Sequence, residues 1–224
     1  MPKLDNVTLV IPAYNRPAYL ERQIDFWSVT DVHLCILDGS KESAPQSLID
    51  RMGPNVYYRH LPIGFNERLV MACDLVQTKY VALLGDDELY APHGLQDCID
   101  TLDADSRLVA CVGRTMFFFE RDGEIFGNQV YEKSENLVHA FGPDIERLNE
   151  SLSDIECGPY LLYGLFRTSE WKKIVRVSYG RKYASGYVYE FAFHLIATLL
   201  GPSQMVESIA VSYTHLTLPT IYSV

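Results

Sequence analysis

The sequence predicts an α/β fold in which a parallel sheet is laid down first and a mixed half follows. Three observations carry this expectation. Short, continuous apolar runs alternate with segments of helical spacing up to about residue 113, and the apolar runs stop at turn-forming or acidic clusters. After Thr115 the rhythm changes to a hairpin pattern.

The elements follow in order. Val7 to Ile11 is a β-branched apolar run ending at Pro12, as suits a strand covered on both faces. Pro17 then opens a helix on which Leu20, Ile24 and Trp27 share a face, and its missing N–H costs nothing in a first turn. A second strand, His33 to Leu37, stops at Asp38-Gly39-Ser40, and a third runs from Val56 to His60. Asn66 to Thr78 reads as a helix with Leu69, Cys73 and Val76 in phase. The run Tyr80 to Leu84 is another buried strand and ends in Gly85-Asp86-Asp87-Glu88. Pro92 starts a helix with Leu95, Ile99 and Leu102 in phase, and an apolar run from Leu108 to Gly113 follows. Strands alternating with helices imply right-handed βαβ units. In MFFFERDGEIF, Arg121-Asp122-Gly123 signals a hairpin.

Composition narrows the function classes. With 29 acidic against 19 basic residues and a net charge of −10, the chain would be repelled by nucleic acid or an anionic membrane. A local basic pocket for one diphosphate remains compatible, because screening limits repulsion to about 8 Å. Cys35, Cys73, Cys98, Cys111 and Cys157 are scattered singly, without a C-x-x-C pair, and read as buried free thiols. No apolar segment approaches the roughly 20 residues needed to span a bilayer. Met1 leads into VTLVI with no basic n-region, so a cytoplasmic protein is expected.

In an open parallel sheet, ligands sit beyond the carboxyl ends of the strands, where this chain carries three polar sequences. They are Pro12-Ala13-Tyr14-Asn15-Arg16, Asp38-Gly39-Ser40 and Gly85-Asp86-Asp87-Glu88. Neither a G-x-G-x-x-G nor a G-x-x-x-x-G-K-[ST] occupies the first gap, which argues against a dinucleotide oxidoreductase and a P-loop ATPase. Three consecutive carboxylates raise one another's pKa unless something positive sits among them. A magnesium or manganese ion would remove that cost, and such ions bridge carboxylates to substrate phosphates. The plainer alternative is a solvated loop favouring the next helix N-terminus.

VTLVIPAYNRPAYLERQI, LCILDGS and YVALLGDDELYAP together resemble the inverting family 2 glycosyltransferases of the GT-A fold. The resemblance implies a Rossmann-like three-layer α/β/α domain with a mostly parallel central sheet over residues 1–211. Residues 1–113 would form the nucleotide half and 114–211 the mixed acceptor half. It implies a nucleotide-sugar donor, UDP-linked, a glycan or other hydroxyl acceptor, a divalent metal (manganese or magnesium) and a polysaccharide or glycan pathway. Pro12 and Ala13 would shape the base pocket, with Arg16 beside them, Tyr14 covering the base and Asp38 accepting its hydrogen bond. Asp87 falls at the metal ligand. Gly85 stands where the family's first Asp usually stands, so the ribose contact passes to Asp86 or Glu88. Arg68 lies where family members place a nucleotide-approaching arginine, although on its own helix it reads as part of a solvated face.

Transfer with inversion needs one general base to deprotonate the acceptor hydroxyl. In the resemblance, LLYGLFRTSEWKKI corresponds to a strand and turn and ASGYVYEFAFHLIATLLG to the helix that presents the base, which places Glu190 there. Glu190 is the only acidic residue between Trp171 and Val206 and has apolar neighbours, conditions that raise a carboxyl pKa. The bland alternative is a helix residue favouring the dipole, and His194, one turn on, is expected to pack within the helix. Two rival functions stand beside transfer: a catalytically silent nucleotide-sugar-binding module, and a sugar nucleotidyltransferase, which would want a glycine- and basic-rich loop after the first strand.

The last stretch, SYTHLTLPTIYSV, resembles translated sequencing-adapter tails found at the ends of fragmentary reading frames, which makes residues 212–224 a doubtful tail whose nativeness the sequence leaves open. The alternation of Leu216 and Leu218 equally describes an edge strand.

Overall fold

The computed structural model describes residues 2–130, 144–153 and 160–214. The first half is built as the apolar runs dictate. Strand β1 (Val7–Ile11) is buried at every residue, and helix α1 (Pro17–Trp27) follows with Pro17 in its first turn. Then come β2 (His33–Asp38), a single turn α2 (Gln46–Ile49), β3 (Val56–His60), α3 (Phe65–Leu75) and β4 (Tyr80–Leu83). The acidic cluster leads straight into a short strand, β5 (Glu88–Tyr90), and α4 (Pro92–Ala104) completes this part.

Helix α3 ends earlier than its apolar phase predicts. Val76 takes an extended conformation, and the Thr78 hydroxyl donates to the Tyr80 carbonyl at 2.9 Å and meets the Thr8 hydroxyl at 2.6 Å. A side chain bonded to nearby backbone competes with the helix, and here it wins.

The second half holds β6 (Ala110–Arg121), β7 (Glu124–Val130), α5 (Asp144–Ser153) and a 3-10 turn (Tyr160–Tyr163). After these come β8 (Leu165–Arg167), α6 (Thr168–Ser178), α7 (Gly186–Leu200) and β9 (Ser203–Thr214). The hairpin is where the sequence places it: Arg121 pairs with Glu124, and Asp122 and Gly123 both take positive φ, as a two-residue I′ turn requires. TSEWKKI, expected as part of a turn, instead begins α6, whose Trp171, Ile174, Val175 and Ser178 are buried at helical spacing. β6 runs without a break across the expected boundary at 113/114, with register shifts around Arg114 where a bulge re-aims the strand. Ser212 to Thr214 continue β9, opposite Glu88 to Leu89 and Met116 to Phe118. The possible edge strand at Leu216 and Leu218, and Cys157, lie outside the described residues.

All described strands join one mixed sheet in the order β3-β2-β1-β4-β8-β6-β9-β5, with β7 added to β6. The pairings β1 with β2, β1 with β4, β2 with β3 and β6 with β9 are parallel, and the others antiparallel. Because strand side chains alternate, Leu9, Ile11, Ala82 and Leu84 face α1 and α4, while Val10, Val81 and Leu83 face α3, α6 and α7. Two cores, one on each side of the sheet, make the three layers. Cys35, Cys73, Cys98 and Cys111 are free and buried within them. Among the described residues no helix is long and apolar enough to cross a membrane.

Gly94 shows how closely α4 lies on β9. A Cβ there would come within 2.2 Å of the Ile209 carbonyl oxygen and 2.8 Å of the Ala210 Cα, contacts that only a backbone shift relieves. Gly94→Ala is therefore expected to lower stability by about 1–3 kcal/mol, read as a lower urea midpoint at unchanged slope, even though alanine favours helix.

Candidate active site

Parallel β1, β2 and β4 end at the same edge of the sheet, so their polar tips meet above it. The ladder continues past the strands: Ala13 N–H donates to the Leu37 carbonyl at 3.2 Å, Gly39 N–H to Ala13 at 2.9 Å and Leu84 N–H to Val10 at 2.9 Å. Arg68, in the first turn of α3, is 3% exposed, which corrects the solvated-face reading. Its Nη1 donates to the carbonyls of Ala13 and Leu37, both at 2.6 Å, and so ties the tips of β1 and β2 together. Burial lowers its pKa, opposed by the charges of Asp38 and Asp86. The guanidinium needs Gly39: a Cβ at that position would sit 2.4 Å from Arg68 Cζ.

Asp38 is 2% exposed, and its carboxylate is well supplied with donors. Oδ1 accepts from Ser40 N–H at 2.9 Å and from the Ser40 hydroxyl, and Oδ2 accepts from the Tyr58 phenol at 2.7 Å. Burial, aided by Asp38, pushes the Tyr58 pKa up to about 12, so the phenol remains a donor. Asn15, with φ of 54°, turns the first tip so that its N–H donates to the Ser40 hydroxyl at 2.7 Å. Tyr14 beside it is 58% exposed.

The third tip holds the carboxylates. Arg16 Nη1 lies 2.9 Å from Asp86 Oδ1 and 2.9 Å from Asp87 Oδ2 and bridges the two. Burial raises the Asp86 pKa in spite of Arg16, with Asp87 adding to the rise, and the Tyr14 N–H opposing it. Burial works against the Arg16 charge, but the two carboxylates outweigh it and raise its pKa. Glu88 points inward and accepts the Gly85 N–H at 3.0 Å, and burial pushes its pKa up to about 8. A Cβ on Gly85 would fall 2.9 Å from the Glu88 carboxyl, so Glu88 fills the space that a side chain at 85 would take.

Between the tips of β1 and β2 opens a cleft of about 370 Å³, lined by Ala13, Arg16, Asp38, Ser40 and Lys41 among others. Its size suits a small ligand. Pro12 and Tyr14 flank it in sequence, and Asp86 and Asp87 reach it through Arg16. No three or more His, Cys, Asp or Glu side chains gather to hold a metal among the described residues. The residues present do not fit an ion caged by protein alone; a magnesium or manganese ion at this tip would need substrate phosphates beside a carboxylate.

Glu190 lies in the second turn of α7, which starts at the same edge of the sheet because α6 runs up to that edge and α7 down from it. Its carboxyl is half-buried, makes no hydrogen bond or ion pair among the described residues, and has its pKa raised by burial. It faces Tyr179, whose own pKa is raised by burial and by the Glu190 charge. His194 is buried, with Nε2 2.7 Å from the Ser151 hydroxyl and its ring edge-on to Tyr160, so it packs as the sequence suggests.

The profile of Glycosyl transferase family 2 matches residues 8–161, well over half of the chain and all three strand tips. The chain belongs to this family. Solved structures share its fold over most of its length: S. aureus TarS matches with a TM-score of 0.62 at 12% identity, covering 94% of this chain and 37% of TarS. The 1–349 fragment of TarS in complex with UDP-GlcNAc gives 0.62 at 13% identity over 97% of this chain and 62% of that one. The same fragment in complex with UDP gives 0.63 at 12% identity over 94% and 60%. The chain thus spans less than two thirds of these structures. No curated protein matches it.

The family resemblance does not point to Gln23, which the structure brings to the site. Gln23 is fully buried on α1, and its amide donates to the carbonyls of Asp86 at 3.1 Å and Glu88 at 2.5 Å, holding the acidic tip from below. The signal was present, because a polar residue stands inside the apolar stripe Leu20, Ile24, Trp27. Tyr58, the donor to Asp38, carried no such signal on a half-exposed strand. In this glycosyltransferase fold the Arg68 clamp depends on Gly39, so Gly39→Ala should displace the guanidinium from Ala13 and Leu37 and loosen the tie between the tips of β1 and β2. A stability loss of about 1–3 kcal/mol should accompany it, measured by urea unfolding.

Proposed function

We propose that this chain transfers a sugar from a UDP-sugar to a hydroxyl of a glycan or other acceptor, with inversion and with a divalent metal ion. The observation that supports the reading most is that the three polar strand tips are tied together at one edge of the sheet, β1 to β2 by Arg68 and β1 to the acidic tip by Arg16, beside the cleft between the first two. In it, Pro12 and Ala13 shape the base pocket and the exposed ring of Tyr14 lies over the base. Asp38 is oriented by Ser40 and Tyr58 to accept from the base. Asp86 takes the ribose side in place of the residue missing at Gly85. Arg16 and Lys41 supply positive charge beside the diphosphate.

Asp87 is the residue that would hold the metal. When bound, the ion would offset the charge that develops on the departing diphosphate. Arg16 neutralises Asp86 and Asp87 and is placed to turn to a phosphate oxygen of the donor. At the other end of the reaction, Glu190 removes the proton from the acceptor hydroxyl. The oxygen attacks the anomeric carbon from the face opposite the diphosphate, the bond from that carbon to the phosphate oxygen breaks, and UDP leaves. A carboxyl raised by burial is the better base for this step.

A second reading, binding without transfer, is favoured by Gly85, whose side-chain space the Glu88 carboxyl already fills. The two readings separate on turnover.

Titration with UDP is expected to show affinity that increases with manganese, and Asp87→Asn should abolish the increase; metal-enhanced binding that survives in Asp87→Asn removes the metal assignment. Glu190→Gln is expected to keep UDP affinity and lower kcat by about 10²–10⁴-fold in a UDP-release assay. In the unaltered enzyme the acid limb of kcat/KM should rise with pH as Glu190 loses its proton, with a midpoint above the 4.5 of an ordinary glutamate. A midpoint at or below that value counts against Glu190.

A further inference from the structure

A second, larger cleft of about 730 Å³ opens at the same edge of the sheet, between the first turn of α3 and the loop that joins α6 to α7. Its walls are aromatic. Tyr179 and Tyr189 stack with ring centroids 5.5 Å apart and planes 7° off parallel, Tyr183 meets Tyr189 edge-on at 4.9 Å, and Phe65 meets Tyr179 at 6.0 Å. The Tyr183 N–H donates to the Tyr189 hydroxyl at 2.9 Å, which pins the loop to α7. Phe65 is 43% exposed although it opens α3.

The loop also carries Arg181 and Lys182, both exposed, and neither makes an ion pair among the described residues. One carboxylate, Glu67, lines the cleft, and it is engaged by the Gly64 N–H at 3.0 Å as a helix cap. In a chain of net charge −10, this leaves a locally cationic, aromatic cleft. Tyr179 is buried behind Tyr189, so the open aromatic surface is that of Phe65 with the half-buried Tyr183 and Tyr189. Flanked by cations, it matches a sugar ring that bears a negative group, the ring lying on the aromatic surface and the anion on Arg181 and Lys182.

The cleft also adjoins both ends of the reaction. Phe65 packs against Arg68, whose guanidinium lies 6.0 Å from the Phe65 ring and whose other contacts are the donor-side carbonyls of Ala13 and Leu37. Tyr179 lies close enough to Glu190 to feel its charge, and Tyr189 precedes Glu190 on α7. We propose that the cleft formed by Phe65, Tyr179, Tyr183, Tyr189, Arg181 and Lys182 is the acceptor subsite, and that it selects a glycan carrying a phosphate or carboxylate group. The assignment as acceptor rests on the transferase reading above; the preference for an anionic sugar rests on the cleft itself.

The test is a titration of the full chain, in the presence of UDP, with trigalacturonate, glucose 6-phosphate and neutral maltotriose. At least one charged probe is expected to bind at least tenfold more tightly than maltotriose, with trigalacturonate reporting a carboxylate preference and glucose 6-phosphate a phosphate preference. Removing two exposed cations in Arg181→Gln/Lys182→Gln should weaken that probe roughly tenfold while leaving UDP affinity unchanged. The retained UDP affinity shows that the variant is folded. Equal binding of charged and neutral probes, no binding of either charged probe, or a double variant that keeps its affinity would each overturn the proposal. A chain that holds a charged probe and ignores UDP supports the cleft as a glycan site and refutes the donor reading, so the two failures are told apart.

Discussion

Everything at the working edge of this molecule follows from the need to keep buried carboxylates in the company of cations. Asp38, Asp86 and Glu88 are all nearly inaccessible, and Asp87 lies beside them. An unpaired buried charge is expensive, so each must find a partner or stay protonated. Arg16 serves Asp86 and Asp87, Arg68 lies close to Asp38 and Asp86, and the Glu88 pKa is pushed up. The chain's architecture produces this crowding, because parallel strands must all finish at one edge.

The first half of the fold was legible in the sequence because burial on both faces leaves little freedom. Strands β1 and β3 begin and end where the apolar runs do, and Pro17 marks the start of α1. The second half was less legible for a physical reason. β9 is a long strand whose residues, SQMVESIAVSYT, mix polar and apolar types, and it is secured by neighbours distant in sequence on both sides. No local pattern encodes such pairing. The helix α6 was available in the spacing of Trp171, Ile174 and Val175 but hidden by the family analogy that made it a turn.

For the site, residue type identified the three tips and the tertiary structure supplied their roles. Arg68 is the clearest case: on a helical wheel it borders the apolar stripe, and only the nearness of two strand-end carbonyls explains why a guanidinium is buried there. The same turn of α3 also carries Phe65, so one short piece of helix touches the cleft between the first two tips and the aromatic cleft beyond it. Gln23 acts in the opposite direction, from within the core, holding the backbone of the acidic tip through an amide. Second-layer contacts of this kind set the positions of functional groups as firmly as the groups' own bonds.

The continuity of β6 has a mechanical consequence. The strand pairs with β8 at its start and β9 along its length, and β9 reaches back to β5, directly after the acidic tip. Among the described residues the two halves therefore share a single hydrogen-bonded plate, with no hinge line between them along which to swing. A strain imposed on the acidic tip is passed through strand pairing into the second half of the fold, while Arg16 and Tyr14 stand at the rim outside that plate.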